Sequence, residues 1–265
     1  MNTPANRDPV SFGLIVIGDE VLTGSRSDAH LAHFKQMLAR RGHELAWYWL
    51  LPDDPKILIE HLGRALEGSV PVFCCGGIGA TPDDHTRACA AAAANLPLAR
   101  HPGAAALIEA RFGDEAYPQR IRMADLPAAC DLIENPYNQI PGFSVDQCYF
   151  LPGFPQMAWP MAEAVLDARY PGEGQHSREV AVRVTGVPES RLVPFLERLT
   201  LAHPELKVFS LPHLPQNPEE AGHILVGLRG REGLDAGLAD LRAGLEEEGV
   251  PFTPAADWPL LDDAD

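Results

Sequence analysis

Basic residues are scarce in this sequence. The 265-residue chain carries 21 Lys and Arg against 37 Asp and Glu, a formal net charge of −16. That balance argues against non-specific binding to nucleic acid and against adsorption on anionic membrane, since both need a positive surface. Long apolar runs are missing too. Nothing approaches the roughly 18 residues of a membrane span, and residues 1–10 are polar, without the apolar stretch of a secretory leader. Cysteine is sparse: Cys74, Cys75, Cys89, Cys130 and Cys148 show no C-x-x-C spacing, so neither a zinc site nor a disulfide framework is written here. An odd count without a framework fits a reducing compartment, and a cytoplasmic location is expected.

What the sequence does contain is organised around residues 70–86, V-P-V-F-C-C-G-G-I-G-A-T-P-D-D-H-T. Val70 to Cys75 is a short apolar run of the kind that forms a strand buried on both faces. Gly76, Gly77 and Gly79 follow, where the backbone must turn sharply or admit a close neighbour. Thr81, Pro82 and Asp84 then spell a helix start: an N-cap, a proline at the first helical position and an acidic capping box. Strand, glycine turn and helix N-terminus together favour an anion. Asp83 and Asp84 would repel a phosphate unless a divalent cation such as Mg2+ lay between them. Capping alone explains Thr and Asp in a first helical turn equally well, so this loop does not decide the matter by itself.

A second loop of the same kind does. Ser11 to Ile17 is an apolar run that ends in Gly18-Asp19-Glu20, with Gly24 close behind. An amphipathic helix over about 28–41, a strand at Glu44 to Leu51 and a helix at Pro55 to Glu67 lead to the organising strand. Strands alternating with helices predict right-handed βαβ units and a mostly parallel sheet, whose ligands sit beyond the carboxyl ends of the strands where strand order reverses. If the first and third strands are neighbours, the two acidic glycine turns share that crevice.

The alanine-rich stretch predicts a helix over about 84–95, with a further helix at about 103–111 and a shorter one near 118–125. Asp131 to Glu134, with the run that ends in Gln147 to Leu151, reads as a strand pair or as one strand with a long approach. Pro152-Gly153-Phe154-Pro155 is a third strand–glycine–helix turn, locally a simple connection, before a helix over 155–169. After a linker at 170–176, the order strand (178–185), helix (188–201), strands (207–211 and 223–228) and helix (231–248) predicts a small sheet with helices on one side. The two strands are joined through the proline-rich stretch Pro212 to Pro218, and an acidic loose tail follows Phe252.

Gly18-Asp19-Glu20-Val21-Leu22-x-Gly24, then Asp28 and Gly42, resembles the start of the CinA-type branch of the MoaB/Mog molybdopterin-binding family. Gly76-Gly77-Ile78-Gly79-x-Thr81-x-Asp83-Asp84-x-Thr86 resembles that family's signature loop. Asn135-Pro136, Pro141-Gly142-Phe143 and Leu151-Pro152-Gly153 with Pro155 and Met157 match later segments. The resemblance implies a three-layer α/β/α domain over 10–172, followed over 176–254 by a smaller KH-like α+β domain. It implies a pterin or nucleotide phosphate as ligand, molybdopterin among them, held with a divalent cation. Carried across by position, Asp83 and Asp84 would be catalytic. Gly18, Gly24, Gly76, Gly77, Gly79, Thr81, Thr86, Pro152 and Gly153 would bind phosphate or pterin, and Asp19, Glu20 and Asp84 would hold the metal.

Three activities follow from the resemblance and stay open: hydrolysis of a nucleotide-sugar diphosphate such as ADP-ribose, adenylylation of molybdopterin, and pterin binding without catalysis. His30 stands where the family usually has Asn, and Asn138-Gln139-Ile140 replaces the usual Gly-Thr-Ala. The C-terminal deamidase domain of longer CinA proteins is not expected. A homo-oligomer is expected. The KH-like unit is acidic and has no basic G-x-x-G loop, so nucleic acid is not expected as a partner.

Overall fold

Two short apolar runs fix the architecture of the first unit. In the computed structural model, which describes residues 9–172, 177–213 and 222–255, Ser11–Ile17 (β1) and Val72–Cys75 (β3) lie side by side as parallel inner strands. Their side chains alternate between two cores, as the period of a strand requires. Ile15, Ile17, Val72 and Cys74 face one core, and Leu14, Val16, Phe73 and Cys75 the other. A strand buried on both faces has no place for a polar residue, which is why these runs are almost wholly apolar.

The remaining elements cover those faces. A single turn, Asp19–Leu22 (α1), follows β1. His30–Ala39 (α2) and, much later, Pro155–Arg169 (α6) pack on one face. Pro55–Glu67 (α3), Thr86–Ala93 (α4) and Pro102–Phe112 (α5) pack on the other. Glu44–Leu51 (β2) pairs with β1, and the sheet is completed by Asp131–Ile133 (β6), Gly142–Val145 (β7) and Cys148–Leu151 (β8). The order is β2-β1-β3-β8-β7-β6, parallel through β8 and antiparallel thereafter. Leu98–Arg100 (β4) and Asp125–Pro127 (β5) form a separate two-stranded ribbon. This is the expected three-layer α/β/α unit with a mostly parallel sheet. From β1 the chain steps to β2 on one side and then to β3 on the other, so the crevice at their carboxyl ends is the switch point.

Two helix expectations need correction. The helix after the glycine loop begins at Thr86, not near Thr81. The amide of Asp84 donates to the Thr81 carbonyl (3.1 Å), closing a turn, and the helix starts only where the Thr86 amide meets the Gly77 carbonyl (3.0 Å). The helix predicted near 118–125 is a 3-10 turn at Arg120–Ala124.

The chain divides into a second compact unit beyond residue 176. Arg178–Val184 (β9), Glu189–Ala202 (α7), Lys207–His213 (β10), His223–Gly230 (β11), Leu234–Glu247 (α8) and Phe252–Pro254 (β12) form an antiparallel sheet in the order β10-β11-β9-β12. Val182, Val184, Val226 and Leu228 of the sheet share one core with Leu192 and Leu199 of α7 and Leu241 and Leu245 of α8. Both helices therefore cover the same face, the α+β arrangement expected from the order of elements. β12 is an addition: its three residues, Phe252, Thr253 and Pro254, are too few to carry a periodic signal. Most of the linker, the stretch between β10 and β11 and the acidic tail lie outside the described residues.

Candidate functional site

The loops that leave the carboxyl ends of β1, β2, β3 and β8 enclose a cleft of about 490 Å³, a volume suited to a pterin or a mononucleotide. Gly18, Glu20, Gly76, Gly77, Gly79, Thr81, Asp83, Asp84, Pro152 and Gly153 all line it. The two acidic turns expected to meet do meet, and the third glycine turn, locally a mere connection, joins them.

The loop after β3 is held from within. Thr86 is fully buried, and its hydroxyl donates to the Gly76 carbonyl (2.9 Å). Thr86 thus shapes the loop from behind instead of touching the cleft. Gly76 sits at φ 119°, where an added Cβ would run into the Ile17 carbonyl oxygen; no other residue type fits. The Asp84 carboxylate accepts from the Thr81 amide (2.8 Å) and from the Thr81 hydroxyl, both through Oδ2. Arg87, buried on α4, donates to the carbonyls of Gly79 (2.7 Å), Asp125 (3.0 Å) and Arg122. With the loop held this way, the amides of Gly77, Ile78, Gly79 and Ala80 donate to no acceptor among the described residues. Four backbone donors around a concave turn make an anion cradle. The cradle is therefore the loop itself and not the end of α4.

The turn after β1 is held from outside. The Asp19 amide donates to Asp53 Oδ2 (3.0 Å), and the Asp53 amide donates to Asp19 Oδ1 (3.3 Å). Asp19 is spent on this exchange and does not line the cleft, and neither does Gly24, which closes the turn behind Val21 (3.2 Å). Asp53 does line it. A Cβ added to Gly77 would lie 3.6 Å from Asp53 Oδ1, so this carboxylate stands beside the glycine loop. Burial, followed by the charges of Asp19, Glu20 and Asp83, pushes the Asp53 carboxyl above its ordinary value, against the lowering effect of the Asp19 amide.

Glu20, Asp53, Asp83 and Asp84 thus converge on one cleft, and among the described residues none of the four makes an ion pair. Unpaired acids beside an anion cradle fit a divalent cation. Among the described residues no three His, Cys, Asp or Glu side chains stand close enough to hold a metal alone, so Asp19, Glu20 and Asp84 do not form a cage. A cation here would rest on one or two carboxylates plus ligand and water oxygens, the manner of Mg2+.

The far wall carries two residues that entered the sequence reading only through the family resemblance, His30 and Asn135. His30 is buried, its Nε2 lies 3.2 Å from the Gly153 carbonyl, and its Nδ1 has no partner. Burial lowers its pKa, so the ring is neutral and Nε2 carries the proton toward Gly153. Asn135, 1 % exposed, accepts from the Tyr137 amide (3.1 Å) and leaves its Nδ2 unpaired.

The class this fold and cleft define is the molybdopterin-binding domain. Residues 13–171 match the family described as "Probable molybdopterin binding domain", and the chain belongs to that family. Within it the chain is CinA-like. It is 32 % identical over 195 residues to a CinA-like protein of Geobacter sp. (strain M21), covering 69 % of this chain and 46 % of that protein. It is 30 % identical over 214 residues to a CinA-like protein of Citrifermentans bemidjiense, covering 78 % and 51 %. The crystal structure of the protein CinA, of unknown function, from Thermoplasma acidophilum superposes with a TM-score of 0.56 at 28 % identity, over 60 % of this chain and 98 % of that one. The chain spans about half the length of these curated relatives. Among the described residues no helix is long and apolar enough to cross a membrane.

Proposed function

We propose that the cleft binds a phosphorylated pterin or nucleotide together with a divalent cation, and that it hydrolyses a nucleotide-sugar diphosphate of the ADP-ribose kind. The observation that carries this reading is the meeting of four unpaired carboxylates with four unpaired loop amides at the switch point of the sheet. Membership of the molybdopterin-binding family supports a pterin or a related heterocycle as part of the ligand.

The amides of Gly77 to Ala80 receive a phosphoryl group and stabilise charge that develops on its oxygens. Asp53, whose raised pKa suits proton uptake, accepts a proton from the water that attacks one phosphorus beside Gly77, and the bond from that phosphorus to the bridging oxygen breaks to release AMP and the sugar phosphate. Glu20 is the carboxylate free to face a cation; Asp83, held below its ordinary value by a hydrogen bond from the Thr81 side chain, can share it, while Asp84 offers Oδ1 and keeps Oδ2 for Thr81. A bound Mg2+ would neutralise the diphosphate and polarise its phosphorus.

Incubation with ADP-ribose and Mg2+, and separately with molybdopterin and ATP, tests the reading. Release of AMP in the first is expected. Pyrophosphate in the second would instead make the protein an adenylyltransferase of molybdenum cofactor biosynthesis. Pterin binding with no turnover in either would leave a binding protein and refute catalysis.

A further inference from the structure

Two side chains at the mouth of the cleft have no part in the chemistry above. Phe154 is 50 % exposed although it is a large apolar residue lining a cavity. Arg26 is the one Lys or Arg that lines the cleft among the described residues, and its guanidinium carbon lies over the Phe154 ring, 5.4 Å from the ring centre. The backbone behind each is fixed. The Phe154 carbonyl accepts from the amides of Met157 and Ala158 (both 2.9 Å) at the start of α6, and buried His30 holds the preceding Gly153 carbonyl. The Arg26 amide donates to the Glu20 carbonyl (2.9 Å).

We propose that the Arg26 guanidinium swings off the Phe154 face to admit a planar nitrogen heterocycle, the two side chains then forming a stacking clamp that grips the ring at the mouth while the phosphates reach the glycine loop. A half-exposed phenyl on a rigid backbone supplies a flat apolar face at little conformational cost. A guanidinium is itself planar and stacks on π-faces without demanding a particular base. Its positive charge also stands alone on a wall otherwise acidic, which favours the electron-rich ring and the phosphates behind it. The clamp recognises the feature shared by a pterin and a nucleobase, and it rejects a bare sugar phosphate. This rests on the phosphate reading given above, so the test separates the two.

Affinities for inorganic pyrophosphate, ADP and 6-hydroxymethylpterin diphosphate, measured by calorimetry with Mg2+, give the increment due to the ring. The wild-type protein is expected to bind at least one ring-bearing diphosphate about tenfold or more tighter than pyrophosphate. Phe154→Ala should remove most of that increment, a loss of about 5- to 100-fold, with pyrophosphate affinity and melting temperature unchanged. Phe154→Trp should retain it. Arg26→Met should lower all three affinities, the ring-bearing ones more. The clamp is overturned if Phe154→Ala leaves the ratio to pyrophosphate unchanged, if Phe154→Trp falls with it, or if no ring-bearing diphosphate outbinds pyrophosphate. Should pyrophosphate alone fail to bind while Phe154→Ala still weakens ADP or the pterin, the clamp stands and the phosphate cradle falls.

Discussion

The turns after β1 and after β3 look alike in sequence, each an apolar strand running into glycines and adjacent acids, yet they are held in opposite ways. The β3 loop is self-supporting: Thr86, Arg87 and the Thr81–Asp84 pair bind it from behind and within. The β1 turn leans on a third segment through the exchange between Asp19 and Asp53. Similar residues therefore do different work. In one turn the acid shapes the loop from within, while in the other Asp19 exchanges amide hydrogen bonds with Asp53 of a different loop. The lesson is that a carboxylate in such a motif is available to a ligand only after its neighbours have taken what they need.

Changes in the β3 loop should strike stability, and changes around the β1 turn should strike ligand binding. Gly76→Ala is expected to have the largest effect, upward of about 4 kcal/mol, because a Cβ meets the Ile17 carbonyl at a φ that L-residues avoid. Gly24→Ala, with open space around it though φ is 76°, should cost only about 1 kcal/mol. Urea denaturation of the pair would break the comparison if the two costs were equal. Next comes Arg87→Met, which strands three carbonyls behind the loop and should cost about 3 kcal/mol. Thr86→Val keeps the shape and removes one buried hydrogen bond to Gly76, a loss of about 1–3 kcal/mol by the same measurement.

Asp53→Asn should change stability least and function most. Because the folded protein holds this carboxyl above its ordinary value, its ionisation works against folding. Stability should rise as pH falls through the raised value and level off below the ordinary carboxylate pKa of about 3.9. The substitution removes that slope and, at neutral pH, should be neutral or slightly stabilising while Mg2+-dependent phosphate binding drops roughly tenfold. Denaturation across pH 3–7 checks the first statement and calorimetry the second. A clearly destabilised Asp53→Asn would show that the turn needs the charge of this group and not only the acceptor oxygen that Asn retains, and unchanged phosphate binding would remove Asp53 from the site.

Much of this was legible in the chain. Strands β1 and β2 and helices α3 and α6 fall where the apolar runs and prolines place them, because a strand buried on both faces and a proline at a first helical position leave few alternatives. The meeting of the acidic turns followed from strand order alone. The helix start at Thr86 was not legible: Thr81, Pro82 and Asp84 carry every local sign of a cap, and only the anchor of the Thr86 hydroxyl on Gly76, a tertiary contact, delays the helix. Asp53 was hidden beside Asp54, which does cap α3 through the amides of Lys56 and Ile57. Sequence gives no means to tell which of two adjacent acids turns inward. Arg87 reads as the exposed side of an alanine-rich helix, and its burial depends on the 3-10 turn at Arg120–Ala124, whose periodicity is too weak to place.

All five thiols are buried, two of them side by side on the central strand, where desolvation holds Cys74 and Cys75 far from the reactive thiolate form. A maleimide in solution should therefore reach Cys74 and Cys75 only when that strand lets go of its neighbours. The time course of labelling becomes an internal clock for opening of the sheet, readable by mass without any engineered probe, and it runs through the same strand that carries the glycine loop.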